Sequence, residues 1–199
     1  MISAPPKPAA SEPSRTFRTF LRVPYTVRVA TPEDCKAVLA LQRDVMAEAD
    51  EYFVRTVAEL DAEGDSACNA LHGLLKRDNC RWIVAEMDGD IIGSLDFHGG
   101  RYERIRHVGN FGMLVRRDYR SQGVGTALLE TLLDWAHANP VVEKVSTTLF
   151  TTNARAMSLY SKHGFVGQGV RQREYQVSPG RYLDAVVMAK WVKPTNRRL

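Results

Sequence analysis

Residues 116–136 read RRDYRSQGVGTALLETLLDWA, and the reading of the whole chain turns on this stretch. Gly123 and Gly125 stand where an apolar helical pattern begins. Glycine in a helix costs roughly 1 kcal/mol against alanine, so a compensating role is expected. A helix start carries unpaired N–H groups and about half a positive charge. Removing two side chains there lets an anion approach those amides closely. Arg120, just upstream, adds a cation suited to phosphate oxygens. A phosphate or pyrophosphate is therefore the expected occupant. Two familiar nucleotide motifs fail on spacing. No GxxxxGK followed by Ser or Thr occurs, and only Gly-Val-Gly appears where a dinucleotide fingerprint needs GxGxxG.

Elements on either side frame this helix. YTVRVAT, residues 25–31, alternates as a strand, and TPEDCKAVLALQRDVMAEAD follows with Thr31 as N-cap and Val38, Leu41 and Val45 at helical spacing. VAELDAEGDSACNALHGLLKR predicts a second helical stretch broken near Gly64. CRWIVAEM and IIGSLDFHGG around Asp-Gly predict a hairpin. HVGNFGMLV and KVSTTLF are strands on either side of the long helix. NARAMSLYSKHG predicts a helix ended by Gly164, and two strands joined by SPGR close the pattern. The order describes a mixed α/β (α+β) domain around a central, mostly antiparallel sheet of about seven strands.

The chain has 199 residues, 44% hydrophobic and 25% charged, with a formal net charge of +4. This predicts one domain, residues 25–192, between an extension over 1–24 rich in Pro, Ala and Ser and a tail at 193–199. Segment TFRTFLRVP within the extension is expected to dock on the domain or on a second subunit. No apolar run spans a membrane. The basic residues are too scattered to form a nucleic-acid face. Cys35, Cys68 and Cys80 show no metal spacing, and they are read as ordinary thiols of a reducing cytoplasm.

Arg120-Ser-Gln-Gly123-Val-Gly125 resembles the R/Q-x-x-G-x-G/A signature of the GNAT N-acetyltransferase superfamily. Asn153–Phe165, NARAMSLYSKHGF, is similar to a second block of that family. The resemblance covers about residues 25–192. It implies a sheet splayed between the fourth and fifth predicted strands, with acetyl-CoA as co-substrate, no metal, and a cytoplasmic enzyme acting on a small-molecule or peptide amine. A homodimer is compatible with it.

In cofactor binding, the resemblance implies the amides of Gln122, Gly123, Val124, Gly125 and Thr126 for the pyrophosphate, beside Arg120. It implies main-chain groups of Met113 and Val115 for the pantetheine arm, and Asn153 for the pantetheine amides. In catalysis it implies direct attack by the amine, Tyr160 as the acid for the departing thiolate, and an oxyanion donor near Leu114 or Val115. The strand HVGNFGMLV lacks a carboxylate that could serve as base. Glu86, Asp96, His98 and His107 are the candidates, with Asp96 and His107 foremost. Asp96, Ser94 and His98 share one strand face. Glu48, Asp50 and Glu51 would favour a cationic acceptor, whereas Arg101, Arg104 and Arg106 would favour an acidic one. Two alternatives remain: a non-catalytic module sensing acyl-CoA, and a nucleic-acid-binding regulator.

Overall fold

A computed structural model describes residues 14–48 and 52–194. Eight strands form one sheet in the order β1-β2-β3-β4-β5-β6-β8-β7. They are β1 (Arg15–Arg18), β2 (Pro24–Val29), β3 (Arg81–Met87), β4 (Asp90–Gly99), β5 (Val108–Val115), β6 (Lys144–Phe150), β7 (Val166–Ser178) and β8 (Arg181–Trp191). Helices α1 (Cys35–Glu48), α2 (Val57–Glu63) and α3 (Asp65–Leu74) cover one face of the sheet. The opposite face packs against α4 (Val124–Ala138) and α5 (Ala154–Lys162).

Each predicted element is present, and β1 adds one strand to the expected seven. Its residues pair with β2 in antiparallel register, Phe17 opposite Tyr25. The described part of TFRTFLRVP therefore docks on the domain's own sheet edge. Residues 1–13 of the expected extension lie outside the described residues.

Local chemistry accounts for the element ends. Thr31 N–H donates to the Asp34 carboxylate at 2.7 Å, and Pro32–Asp34 winds as a 3-10 turn into α1. The break at Gly64 separates α2 from α3, with φ of 50° at the glycine. Asp88 and Gly89 both take positive φ in the tight β3–β4 turn, the backbone a two-residue hairpin demands. In α4, Val124, Ala127, Leu128, Leu132 and Ala136 recur at helical spacing, and all are buried.

Only β5 and β6 run parallel, and their register covers just Val108–Asn110 against Lys144–Ser146. Beyond it the Thr147 hydroxyl donates to Phe111 O at 3.0 Å, after which no register joins the two strands. The sheet opens there as a V. The break lies between the fifth and sixth strands because β1 shifts the count by one.

The expectation of three ordinary thiols is overturned. Cys35 and Cys68 form a disulfide across 33 residues, joining the start of α1 to α3. Sequence spacing could not show this, because α2 reverses the chain and stacks α3 beside α1. Cys80 is free and buried.

Candidate active site

The V opens beside the glycine-bearing turn. Gly123 caps α4 with φ of 91° and offers no side-chain acceptor, and the first helical bond runs from Ala127 N to Gly123 O at 3.0 Å. First-turn N–H groups without a capping side chain are donors for an outside acceptor. At Gly123 a side chain would be strained by the left-handed backbone. Val124 and its neighbours place these amides at the wide end of the V, where β5 gives way to the turn. Arg120 is fixed by donating Nε to Val115 O at 3.0 Å, and its Nη2 lies 3.3 Å from Glu48 Oε2. Gln122 donates its side-chain amide to Asp118 O, so only its main chain faces the turn's interior.

Main-chain groups on β5 alternate sides. Gly109 O and Phe111 O receive hydroxyls from β6, Val115 O receives Arg120, and Arg116 N donates to Ile92 O toward β4. Met113 therefore points its N–H and C=O into the gap, and Val115 its N–H, while the Val115 carbonyl is taken by Arg120. Leu114 turns its main chain toward β4 and its side chain toward the α1–α3 face, where it packs beside Trp82 and Val84.

Tyr160 stands on α5 with only 4% of its surface exposed, edge-on to Phe111 at 5.2 Å between ring centroids and tilted against Phe165. Burial pushes its phenol pKa up. The hydroxyl has no hydrogen bond among the described residues and stays protonated at neutral pH. Asn153 caps α5, with Oδ1 accepting from Ala156 N at 3.1 Å. Its amide group remains free to donate.

Asp96 lies opposite Gly112 on β5 and accepts from His98 across 2.7 Å, Oδ2 to Nε2. A Cβ at Gly112 would come within 3.5 Å of Asp96 Oδ1. That is an ordinary contact distance, and it places the carboxylate over Gly112, beyond the paired part of β5. Ser94 shares the face but is spent on Trp82, accepting from its indole N–H at 3.1 Å.

The structure does not bring the remaining candidates to this place. His107 stacks on Trp191 beside the closed, paired end of β5 and β6. Glu86 is held by Arg28 through Nε and Nη2 at 2.9 and 2.7 Å. Arg106 pairs with Asp78, while Arg101 and Arg104 are exposed in the β4–β5 loop. Asp50 and Glu51 lie outside the described residues. No cluster of His, Cys, Asp or Glu among the described residues is arranged to hold a metal, and none of the helices is long and apolar enough to cross a membrane.

An open sheet with one parallel pair among the described strands, an uncapped glycine helix start at its mouth, and a buried phenol on α5 make up the candidate site. The chain belongs to the acetyltransferase (GNAT) family, whose profile matches residues 43–165. It is an N-acetyltransferase, as its named relatives are. It is 28% identical over 157 residues to the L-amino acid N-acetyltransferase AaaT of Escherichia coli, an alignment spanning 73% of this chain and 96% of that protein. An acetyltransferase of the GNAT family from Streptococcus pneumoniae superposes with a TM-score of 0.73 and 26% identity, covering 85% of this chain and 99% of the other. Its fold is also that of yncA from Salmonella typhimurium, a structure holding its cofactor acetyl-CoA, with a TM-score of 0.68, 20% identity, and coverage of 88% and 98%.

Proposed function

We propose that this N-acetyltransferase moves an acetyl group from acetyl-CoA to the primary amine of a small molecule, amino acid or peptide, by direct attack in a ternary complex. One observation carries the reading. β5 loses its parallel partner just where Arg120 and the uncapped start of α4 present donors, so a strand-like arm ending in a diphosphate fits the opening. Pyrophosphate oxygens then lie on the amides of Gln122 to Thr126 beside Arg120. Met113 and Val115 bond the arm, and Asn153 donates to its amides. The similarity to an L-amino acid N-acetyltransferase supports an α-amine acceptor.

Acid and base approach from opposite faces of the sheet. Tyr160 reaches the gap from the α5 side and, kept in its protonated form by burial, is the group that can donate a proton to the departing thiolate. Asp96 with His98 serves as the proton-accepting pair from the α1–α3 side. Leu114 N–H is turned to β4 and is therefore not free to serve as the oxyanion donor.

A thiol-release assay over amino acids, polyamines and peptides tests the reading. CoA release with at least one α-amine is expected, falling at least tenfold in Asp96→Asn and His98→Gln. The double variant should lose little more than the worse single one, because the two side chains act as a unit. Full activity in both single variants would remove the pair from the mechanism.

A further inference from the structure

An open pocket of about 460 Å³ adjoins the glycine turn, lined by Glu48, Arg117, Arg120, Ser121 and Arg155. It lies where the 3-10 turn Arg117–Tyr119, the α4 turn, the first turn of α5 and the end of α1 meet. Three guanidiniums face one carboxylate. Arg120 is already committed, to Val115 O and to Glu48. The side chains of Arg117 and Arg155 have neither a hydrogen bond nor an ion pair among the described residues. Elsewhere Arg28, Arg55, Arg106 and Arg116 each meet a carboxylate. Among the described residues, the pocket thus holds two cations without a carboxylate partner, from two different elements, plus a hydroxyl at Ser121, where φ is 58°.

We infer that Arg117 and Arg155 form a second phosphate clamp, distinct from the diphosphate seat on α4, which takes the phosphomonoester on the 3′ ribose carbon of CoA. This rests on the acetyl-CoA reading and goes beyond it. A diphosphate diester carries one negative charge per phosphorus, and the α4 amides with Arg120 suffice for it. A monoester carries about −1.5 to −2 at neutral pH with three strong acceptor oxygens, which matches two forked guanidiniums better than one. Arg117 follows β5 and Arg155 begins α5, so the clamp joins the two sides of the V only when the phosphate is bound.

Calorimetry of the full chain with CoA and with 3′-dephospho-CoA tests this, with adenosine 3′,5′-bisphosphate and inorganic phosphate as competitors. The wild type should bind CoA at least tenfold tighter than its dephospho form. The Arg117→Gln/Arg155→Gln double variant should bind both alike, at the wild-type dephospho-CoA affinity. Arg117→Lys/Arg155→Lys should keep part of the preference, and the bisphosphate should compete where inorganic phosphate at equal concentration does not. Equal wild-type affinities, or a double variant weakened equally toward both ligands, would overturn the clamp while leaving the acetyl-CoA reading intact. Binding of neither ligand would remove that reading and the clamp with it.

Discussion

Glu48, the last residue of α1, holds its carboxylate 3.3 Å from the guanidinium of Arg120 at the phosphate-binding turn. Helix α1 thereby touches the cation expected to meet the diphosphate. With a diphosphate bound as proposed, Glu48 Oε2 would compete with its oxygens for the same Nη2.

Replacing Glu48 by Gln keeps the shape and removes the competing charge. Partly exposed pairs of this kind are worth about 0.2–1 kcal/mol, so CoA affinity should rise by roughly 1.4-fold to fivefold. Calorimetry at low salt should show it most clearly, with the gain fading at high ionic strength. Unchanged or weaker binding would mean that Glu48 orients Arg120 rather than opposing its ligand.

Tyr160→Phe removes a hydroxyl that bonds to no described residue, and the packing against Phe111 and Phe165 should survive. Stability should change by less than about 1 kcal/mol. CoA affinity should stay within twofold, while kcat falls by about 10²-fold, the usual order for a lost general acid. Normal turnover would dismiss the phenol from the chemistry.

The signs legible in sequence were those set by short-range chemistry. Glycines at the start of α4, the Asp-Gly turn and the apolar periodicity of α1 and α4 each report a local backbone requirement, and each element stands where they put it. Asp96 and His98 could be placed on one face by alternation alone, but their hydrogen bond and the space above Gly112 depend on how β4 and β5 register. Glu48, Arg117 and Arg155 come from three elements, distant along the chain, and no periodicity links them. The place of His107, by the closed end of the V and away from Asp96 and Tyr160, was hidden for a reason of the same kind. Its position just before β5 says nothing of which end of the V is closed, and that depends on pairing with β6. The Cys35–Cys68 bond likewise needed the stacking of α3 on α1.

Arg28 grips Asp34 through two bonds of 2.7 and 2.8 Å and also holds Glu86. The bond from Arg28, more than any other contact, pulls the Asp34 pKa down. A carboxyl depressed by folding contributes stability above its unfolded pKa of about 3.9, and the contribution is lost as pH falls through the folded value. Asp34→Asn should therefore destabilise the protein at pH 7 by about 1.5–3 kcal/mol, the range for hydrogen bonds to charged groups. Urea midpoints of the two proteins should draw together below about pH 4. A gap that persists into strong acid would place the loss in packing rather than in charge.

The disulfide between Cys35 and Cys68 closes a loop spanning 33 residues that contains most of α1 and all of α2. A cross-link of this length restricts the unfolded chain and contributes about 2–4 kcal/mol. The Cys35→Ser/Cys68→Ser double variant should lose that much in urea without a change in fold, since both side chains sit in a core that α1 and α3 already fill. Thiol titration distinguishes this from a mere packing defect. Native protein should present no reactive thiol because Cys80 is buried, and protein in denaturant without reductant should present one. Three reactive thiols in denaturant would show that the pair is unbonded, and the stability lost in the variant would then belong to the cavity and not to the cross-link.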